Sequence, residues 1–215
     1  MCFSAEASFA ASGVLTASGI AISRIPKEKS EIPLSICPII FAAHQFIEGL
    51  LWLHHSGTLP DEYRSGAVYG FVLIALVLWP IYVPFAAYKT ETGKIRRRII
   101  FACLLLGLYV GITFLINIIN NPVDASVVGQ SFSYHVDMHG DFLIPYVIAV
   151  SIPFMVSSKK GLVRFGVALT LSCAVAMYVA SSSTLPSVWC FYAAILSLGL
   201  YGYFRSSAKA YTAKN

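Results

Sequence analysis

Residues 41–55 read "FAAHQFIEGLLWLHH", and this stretch decides how the chain is read. Nearly every position is apolar, yet a glutamate sits in the middle. His44, Glu48 and His55 are separated by four and seven residues, so on a 3.6-residue helix they form one stripe. Trp52 lies beside that stripe. Extended back to Pro33, the apolar run reaches the length a membrane crossing needs, about 20 residues. His44 then lies about 16 Å from Pro33, near mid-membrane, with Glu48 one turn further on. A carboxylate at such depth costs a few kcal/mol or more and needs a partner.

The rest of the chain agrees with a membrane reading. It is 57% hydrophobic and 12% charged, where soluble domains run about 45–50% apolar and about 25% charged. Seven apolar stretches stand out: Ala5–Ile22, Pro33–Leu53, Gly66–Tyr88, Ile99–Ile119, Phe142–Val156, Gly161–Ser181 and Pro186–Phe204. Backbone groups in hydrocarbon must be satisfied within their own segment, so open-chain spans are helices. The expected fold is therefore all-α: a single domain of seven transmembrane helices over residues 1–215, the fifth one short. Pro80 and Pro84 in the third span, with Pro145 and Pro153 in the fifth, predict kinks that open room for a pocket. Small residues along the first span (Ala10, Ala11, Ser12, Gly13, Ser18, Gly19) predict a helix packed inside the bundle.

Cations set the expected orientation. Arg24, Lys27 and Lys29 lie between spans one and two; Lys89, Lys94, Arg96, Arg97 and Arg98 between three and four. Lys159, Lys160 and Arg164 lie between five and six, and Arg205, Lys209 and Lys214 follow span seven. These regions are separated by even numbers of crossings and hold 14 of the 15 Lys and Arg residues, Arg64 being the exception. Basic flanks face the cytoplasm, so the N-terminus is expected outside and the C-terminus inside. The same runs face lipid headgroups, so the bilayer is the partner they imply and nucleic acid is not. No cations precede the first apolar run, so it does not read as a cleaved signal peptide.

All five histidines and most acids fall on the opposite, outer side. In "SYHVDMHGDF", His135 and His139 are four apart, as are Asp137 and Asp141. On a helix the two histidines would share a face and could supply two metal ligands. Glu48, His55 and Cys2 are candidates to complete the set. Such a nitrogen- and oxygen-rich site suits zinc first, then iron, copper or nickel. With a metal bound, Glu48 or Asp137 would serve as general base. His44, Gln45, Trp52, Glu6 and Asn117 are expected to line the cavity. Glu48 also has a plainer reading, as a hydrogen-bonded link to a neighbouring helix. Cys37, Cys103 and Cys173 read as small buried apolar residues, while Cys2 and Cys190 could meet in a disulfide on an oxidising face.

Two segments carry a resemblance. "MCFSA" (Met1, Cys2, Phe3, Ser4, Ala5), followed by Gln45, Glu48, Gly49 and Trp52 in a Gln-x-x-Glu-Gly-x-x-Trp pattern, resembles an uncharacterised family of bacterial multi-pass membrane proteins. That resemblance implies an integral protein of the bacterial inner membrane with a site facing the periplasm, and no reaction. The layout is also similar to that of membrane hydrolases such as the alkaline ceramidases and progestin-receptor-like proteins, which hold zinc with three histidines. Here the last span has no histidine, and the H-x3-H pair precedes span five. Two readings of function stay open, with a third, a purely structural membrane subunit, behind them. One is a binding, sensing or accessory protein taking a small-molecule or lipid ligand. The other is a metal-dependent hydrolase of a lipid-derived amide or ester, whose metal activates a water. The oligomeric state is not legible.

Overall fold

The computed structural model describes residues 4–25, 27–136, 141–181 and 183–212. Its helices follow the apolar stretches. They are α1 (Ala5–Ser23), α2 (Ile32–His55), α3 (Glu62–Val72), α4 (Trp79–Thr90), α5 (Lys94–Asn120), α6 (Leu143–Met155), α7 (Lys160–Val179), α8 (Leu185–Ser197) and α9 (Gly199–Thr212). A π-helical segment, Leu73–Leu78, joins α3 to α4, so the two form one continuous rod. Six rods are long and apolar enough to cross a membrane, and α6 is a shorter apolar helix of 13 residues.

The π segment has an identifiable cause. The Trp79 N–H bonds to the Ile74 carbonyl, five residues back. Continued in that register, the next donor would be residue 80, which is proline and has no N–H. The Ala75 carbonyl is instead met by the Tyr146 hydroxyl of α6, at 2.5 Å. The bend expected from Pro80 is thus a widened turn whose leftover acceptor a neighbouring helix satisfies. The helix α5 packs into the same region through Gly107 and Gly111. A Cβ at Gly107 would collide with the Pro80 carbonyl oxygen, and one at Gly111 would lie 2.9 Å from the Val77 carbonyl oxygen. Paired small residues four apart let two backbones approach this closely.

Three findings correct the expectations. First, the fold is not purely helical. Between α5 and α6 lie β1 (Asp124–Val128) and β2 (Ser131–His135), paired antiparallel with Ala125 opposite Tyr134 and Val127 opposite Phe132. Gly129, at φ +62°, opens their two-residue turn, the position glycine takes in a type II′ hairpin. Second, His135 is therefore the last residue of a strand and not part of a helical His-x3-His pair; residues 137–140, which include Asp137 and His139, lie outside the described residues. Third, α1 is not enclosed. It buries one stripe, Ser8, Ser12, Leu15, Gly19 and Ile22, while Val14 and Ile20 on other faces are exposed. Its small residues serve close approach to α2: Gly19 meets Ile39, and the Ser12 hydroxyl donates to the Ala42 carbonyl at 2.8 Å.

The basic connections meet at one end of the bundle. Lys159 Nζ and the Tyr203 hydroxyl both donate to Glu31 Oε1, at 2.7 and 2.8 Å. This joins the α1–α2 connection, the α6–α7 turn and α9. Burial works against the Lys159 charge, but Glu31 and Tyr203 outweigh it and hold its pKa above the usual lysine value. Beside them, Glu91 Oε2 accepts the Ser158 N–H at 2.7 Å, and Oε1 accepts those of Thr92 and Gly93. Burial opposes the Glu91 charge, yet these donors keep its carboxyl below the usual range. The hairpin caps the opposite end, tied to α3 by an Arg64–Asp124 ion pair and by Arg64 donating to the Ala125 carbonyl at 2.8 Å.

The contact of α5 with the π segment yields a test. Gly107→Ala forces α5 off the Pro80 carbonyl and is expected to cost about 1–3 kcal/mol through overpacking. Gly66→Ala, on an open helix face, should be neutral or gain up to about 1 kcal/mol. Thermal unfolding in detergent reads both. Equal midpoints for the two variants would contradict the packing described.

Candidate functional site

Three polar side chains of α2 are completely buried: His44, Gln45 and Glu48. Their burial follows from the helical stripe and from what covers it. Gly49 leaves room for Phe9 of α1 to lie against the α2 backbone. From the other side comes Ser187, in the first turn of α8, whose hydroxyl donates to Glu48 Oε1 at 2.5 Å. The Gln45 amide donates to Glu48 Oε2 over a longer 3.4 Å. A carboxylate excluded from solvent is thereby held by polar donors from two helices, as burial of such a group requires.

One turn away, His44 Nε2 donates to the Phe71 carbonyl at 3.2 Å, in the last turn before the π segment. Its Nδ1 is buried with no hydrogen-bond partner among the described residues. The His44 ring packs on the Phe71 ring with centroids 4.0 Å apart, and Phe71 in turn stacks on Tyr134 at 4.2 Å and nearly parallel. Phe132, on the same hairpin face, meets Trp52 at 4.7 Å. The buried polar group of α2 is thus linked through aromatic rings to the hairpin. The Tyr134 N–H donates to the Ser183 carbonyl at 3.1 Å, which fixes the hairpin to the entry of α8.

Beneath the hairpin lies a cavity of about 690 Å³. Its walls come from the end of α3 and the π segment (Val72, Ala75, Leu76), the start of α6 (Phe142, Tyr146) and the start of α8 (Trp189, Cys190). Polar groups are few and gather toward the hairpin: Tyr134, His135, Asp141 and Ser183. The cavity borders the apolar interior, since Tyr146, Trp189 and Cys190 also line a narrow apolar cleft running toward Leu34 and Phe154. A concave, mainly apolar chamber with a few polar groups at one end is the usual form of a small-molecule site.

A family model described as a family of unknown function, DUF6629, matches residues 1–215. The chain belongs to that family. No curated protein and no solved structure matches it.

The residues singled out in this DUF6629 chain divide into three groups. Gln45 and Glu48 touch, and His44 lies a turn away in the same buried stripe, but none of the three lines the hairpin-end cavity. His55 sits at the end of α2 with its ring 5.8 Å from that of Trp52, beside a smaller pocket of about 310 Å³ shared with Arg64 and Ser126. His135 lines the main cavity and shares a 2.9 Å hydrogen bond with the Ser126 hydroxyl. Glu6 is exposed on the first turn of α1 and stands apart from the buried group. Asn117 lies near the end of α5, where its carbonyl accepts both the N–H and the side-chain amide of Asn121.

Cys2, Asp137 and His139 lie outside the described residues. Among the described residues no three histidine, cysteine or acidic side chains gather as metal donors. Cys190 is a free, buried thiol, and Cys2, the other half of the expected disulfide, lies outside the described residues. Two important groups escaped the sequence reading. Ser187 has no local signal, being 139 positions from its partner. Phe132 and Tyr134 did carry one, the alternation in "SFSYH" after a Gly-Gln turn.

The tie between α2 and α8 is open to measurement. Ser187→Ala withdraws a donor from a buried carboxylate and should cost about 1–3 kcal/mol. Glu48→Gln, which keeps shape and an acceptor, should cost less. In a double-mutant cycle by chemical unfolding, the pair should couple by about 0.5 kcal/mol or more. Additive losses would show that the two side chains act independently.

Proposed function

We propose that this protein is a membrane-embedded binding protein, of the sensing or accessory kind, whose hairpin-end cavity receives an apolar or amphiphilic small molecule. In this reading all seven apolar segments cross the bilayer of a bacterial inner membrane. The N-terminus and the hairpin face the periplasm, and the basic end faces the cytoplasm. The gathering of the basic connections at one end supports that orientation, because Lys and Arg mark the cytoplasmic flank. In this reading the 13-residue α6 crosses as well, preceded by the hairpin between α5 and α6.

The observation that carries the binding reading is the cavity itself, about 690 Å³, apolar at depth and polar at the hairpin. That gradient suits a ligand with a hydrocarbon body and a polar head. The geometry favours binding over hydrolysis. Glu48 has its carboxylate engaged by Ser187 and Gln45 and away from the cavity wall, and His135 is held on a strand by Ser126. A hydrolytic metal would need three donors around an open position.

A diazirine-bearing fatty acid tests the proposal in protein reconstituted in nanodiscs. After photolysis, peptide mapping is expected to find label on Phe142, Trp189 and their neighbours. Leu76→Trp, which narrows the chamber, should reduce that label several-fold, while Leu105→Trp on the exposed face of α5 should not. Label spread evenly over the exposed faces of α5 and α7, unchanged by Leu76→Trp, would overturn the reading.

A further inference from the structure

The basic end holds a second and larger cavity, of about 920 Å³, between α7 and the α8–α9 rod. The pattern of residues along its walls is graded. At the rim stand Lys160 and Arg164, four residues apart on one face of α7, and across from them Tyr203 and Ser206 of α9. Deeper, the wall is Phe165 and Ala168 on α7, then Leu196 and Leu200 on the facing rod. From Lys160 to Ala168 the drop is about 12 Å, enough to pass from a headgroup layer into hydrocarbon. The first turn of α7 also opens on this space, with Lys160 and Gly161 in the lining. A helix N-terminus favours negative charge.

The charges at the rim are not all committed. Lys159 is consumed by Glu31, which also takes the Tyr203 hydroxyl. Glu28, the other acid of the lining, receives the Ser30 hydroxyl at 3.3 Å. Lys160 and Arg164 are exposed and make no ion pair among the described residues. Two uncommitted cations above an apolar trough, between two helices of membrane length, match a phosphate joined to acyl chains better than a free anion. Nothing in a soluble phosphate would use the apolar wall. Basic pockets of this kind between membrane helices are suited to anionic lipid headgroups.

We infer that the cavity between α7 and the α8–α9 rod is a binding site for an anionic phospholipid, its phosphate on Lys160 and Arg164 and an acyl chain along Phe165, Leu196 and Leu200. This site is separate from the hairpin-end cavity and lies at the other end of the bundle. It gives the basic connection between α6 and α7 a role beyond setting topology. Removing a bound lipid would leave the trough open to water, so the lipid also completes the packing of α7 on α9.

The test counts lipids retained by the purified full-length protein. Detergent-solubilised protein is mixed with phosphatidylglycerol or with phosphatidylcholine of the same acyl chains, and bound lipid is counted by native mass spectrometry. Phosphatidylglycerol is expected to be retained and phosphatidylcholine not. The Lys160→Gln, Arg164→Gln double variant should weaken phosphatidylglycerol binding by about 30-fold, the loss of two interfacial cations. Ala168→Phe, which fills the apolar trough and leaves both cations, should also weaken it. Arg96→Gln with Arg98→Gln, at the start of α5, should leave it unchanged. Equal retention of the two lipids, or full retention by the double variant, would overturn the inference. So would displacement by inorganic phosphate or glycerol 3-phosphate, which would assign the cations to a soluble anion.

Discussion

A proline nitrogen carries no hydrogen, and Pro80 places that missing donor inside a rod of membrane length. In hydrocarbon an unpaired carbonyl costs several kcal/mol, with no water to relieve it. The chain answers at a distance of 71 positions: the Tyr146 hydroxyl meets the Ala75 carbonyl, and the turn between widens into π geometry. Much else is arranged around this one substitution of a side-chain donor for a backbone donor. The α5 backbone comes close enough to touch the bend because Gly107 and Gly111 have no side chains there. The α6 helix packs on α4 and α5 and reaches the π segment through the Tyr146 hydroxyl. The chamber under the hairpin is bordered by residues of these same elements: Ala75, Leu76, Phe114 and Tyr146.

The two ends of the bundle solve different problems. At the basic end, three connections and α9 are held by buried polar contacts around Glu31 and Glu91, in each case a carboxylate with several donors. At the other end, the hairpin closes the bundle with aromatic faces: Phe132 on Trp52, and Tyr134 on Phe71. Because Phe71 also receives His44 at its ring and its carbonyl, the hairpin and the buried stripe of α2 are parts of one packed unit. Glu48 belongs to that unit as the link between α2 and α8, with Ser187 as its partner.

What could be read from the sequence, and what could not, follows the range of the forces involved. Apolar run length is local, so the apolar helices were legible within a few residues: six are long enough to cross a membrane, and the one ending at Met155 is shorter. Lys and Arg placement is likewise local, and the structure brings the basic connections to one end. Glu48 announced itself as a carboxylate in an apolar helix, but its partner Ser187 could not be named, since only the fold brings α8 to α2. The hairpin was misread for another reason: His135 and His139 matched a helical spacing, while the period-two alternation from Ser131 to His135 pointed to a strand. Small residues on α1 were taken as a sign of enclosure, whereas only five of its residues are buried and Val14 and Ile20 are exposed.

The central claim is that Tyr146 replaces the backbone donor Pro80 lacks and so sustains the π segment that borders the chamber. The most direct measurement is isotope-edited infrared spectroscopy of the protein labelled with ¹³C and ¹⁸O at the Ala75 carbonyl. The wild type should show this carbonyl at a hydrogen-bonded amide I frequency, and Tyr146→Phe should shift it upward toward the value of an unpaired carbonyl. An identical band in both proteins would mean that the Ala75 carbonyl does not depend on Tyr146, and would contradict the account.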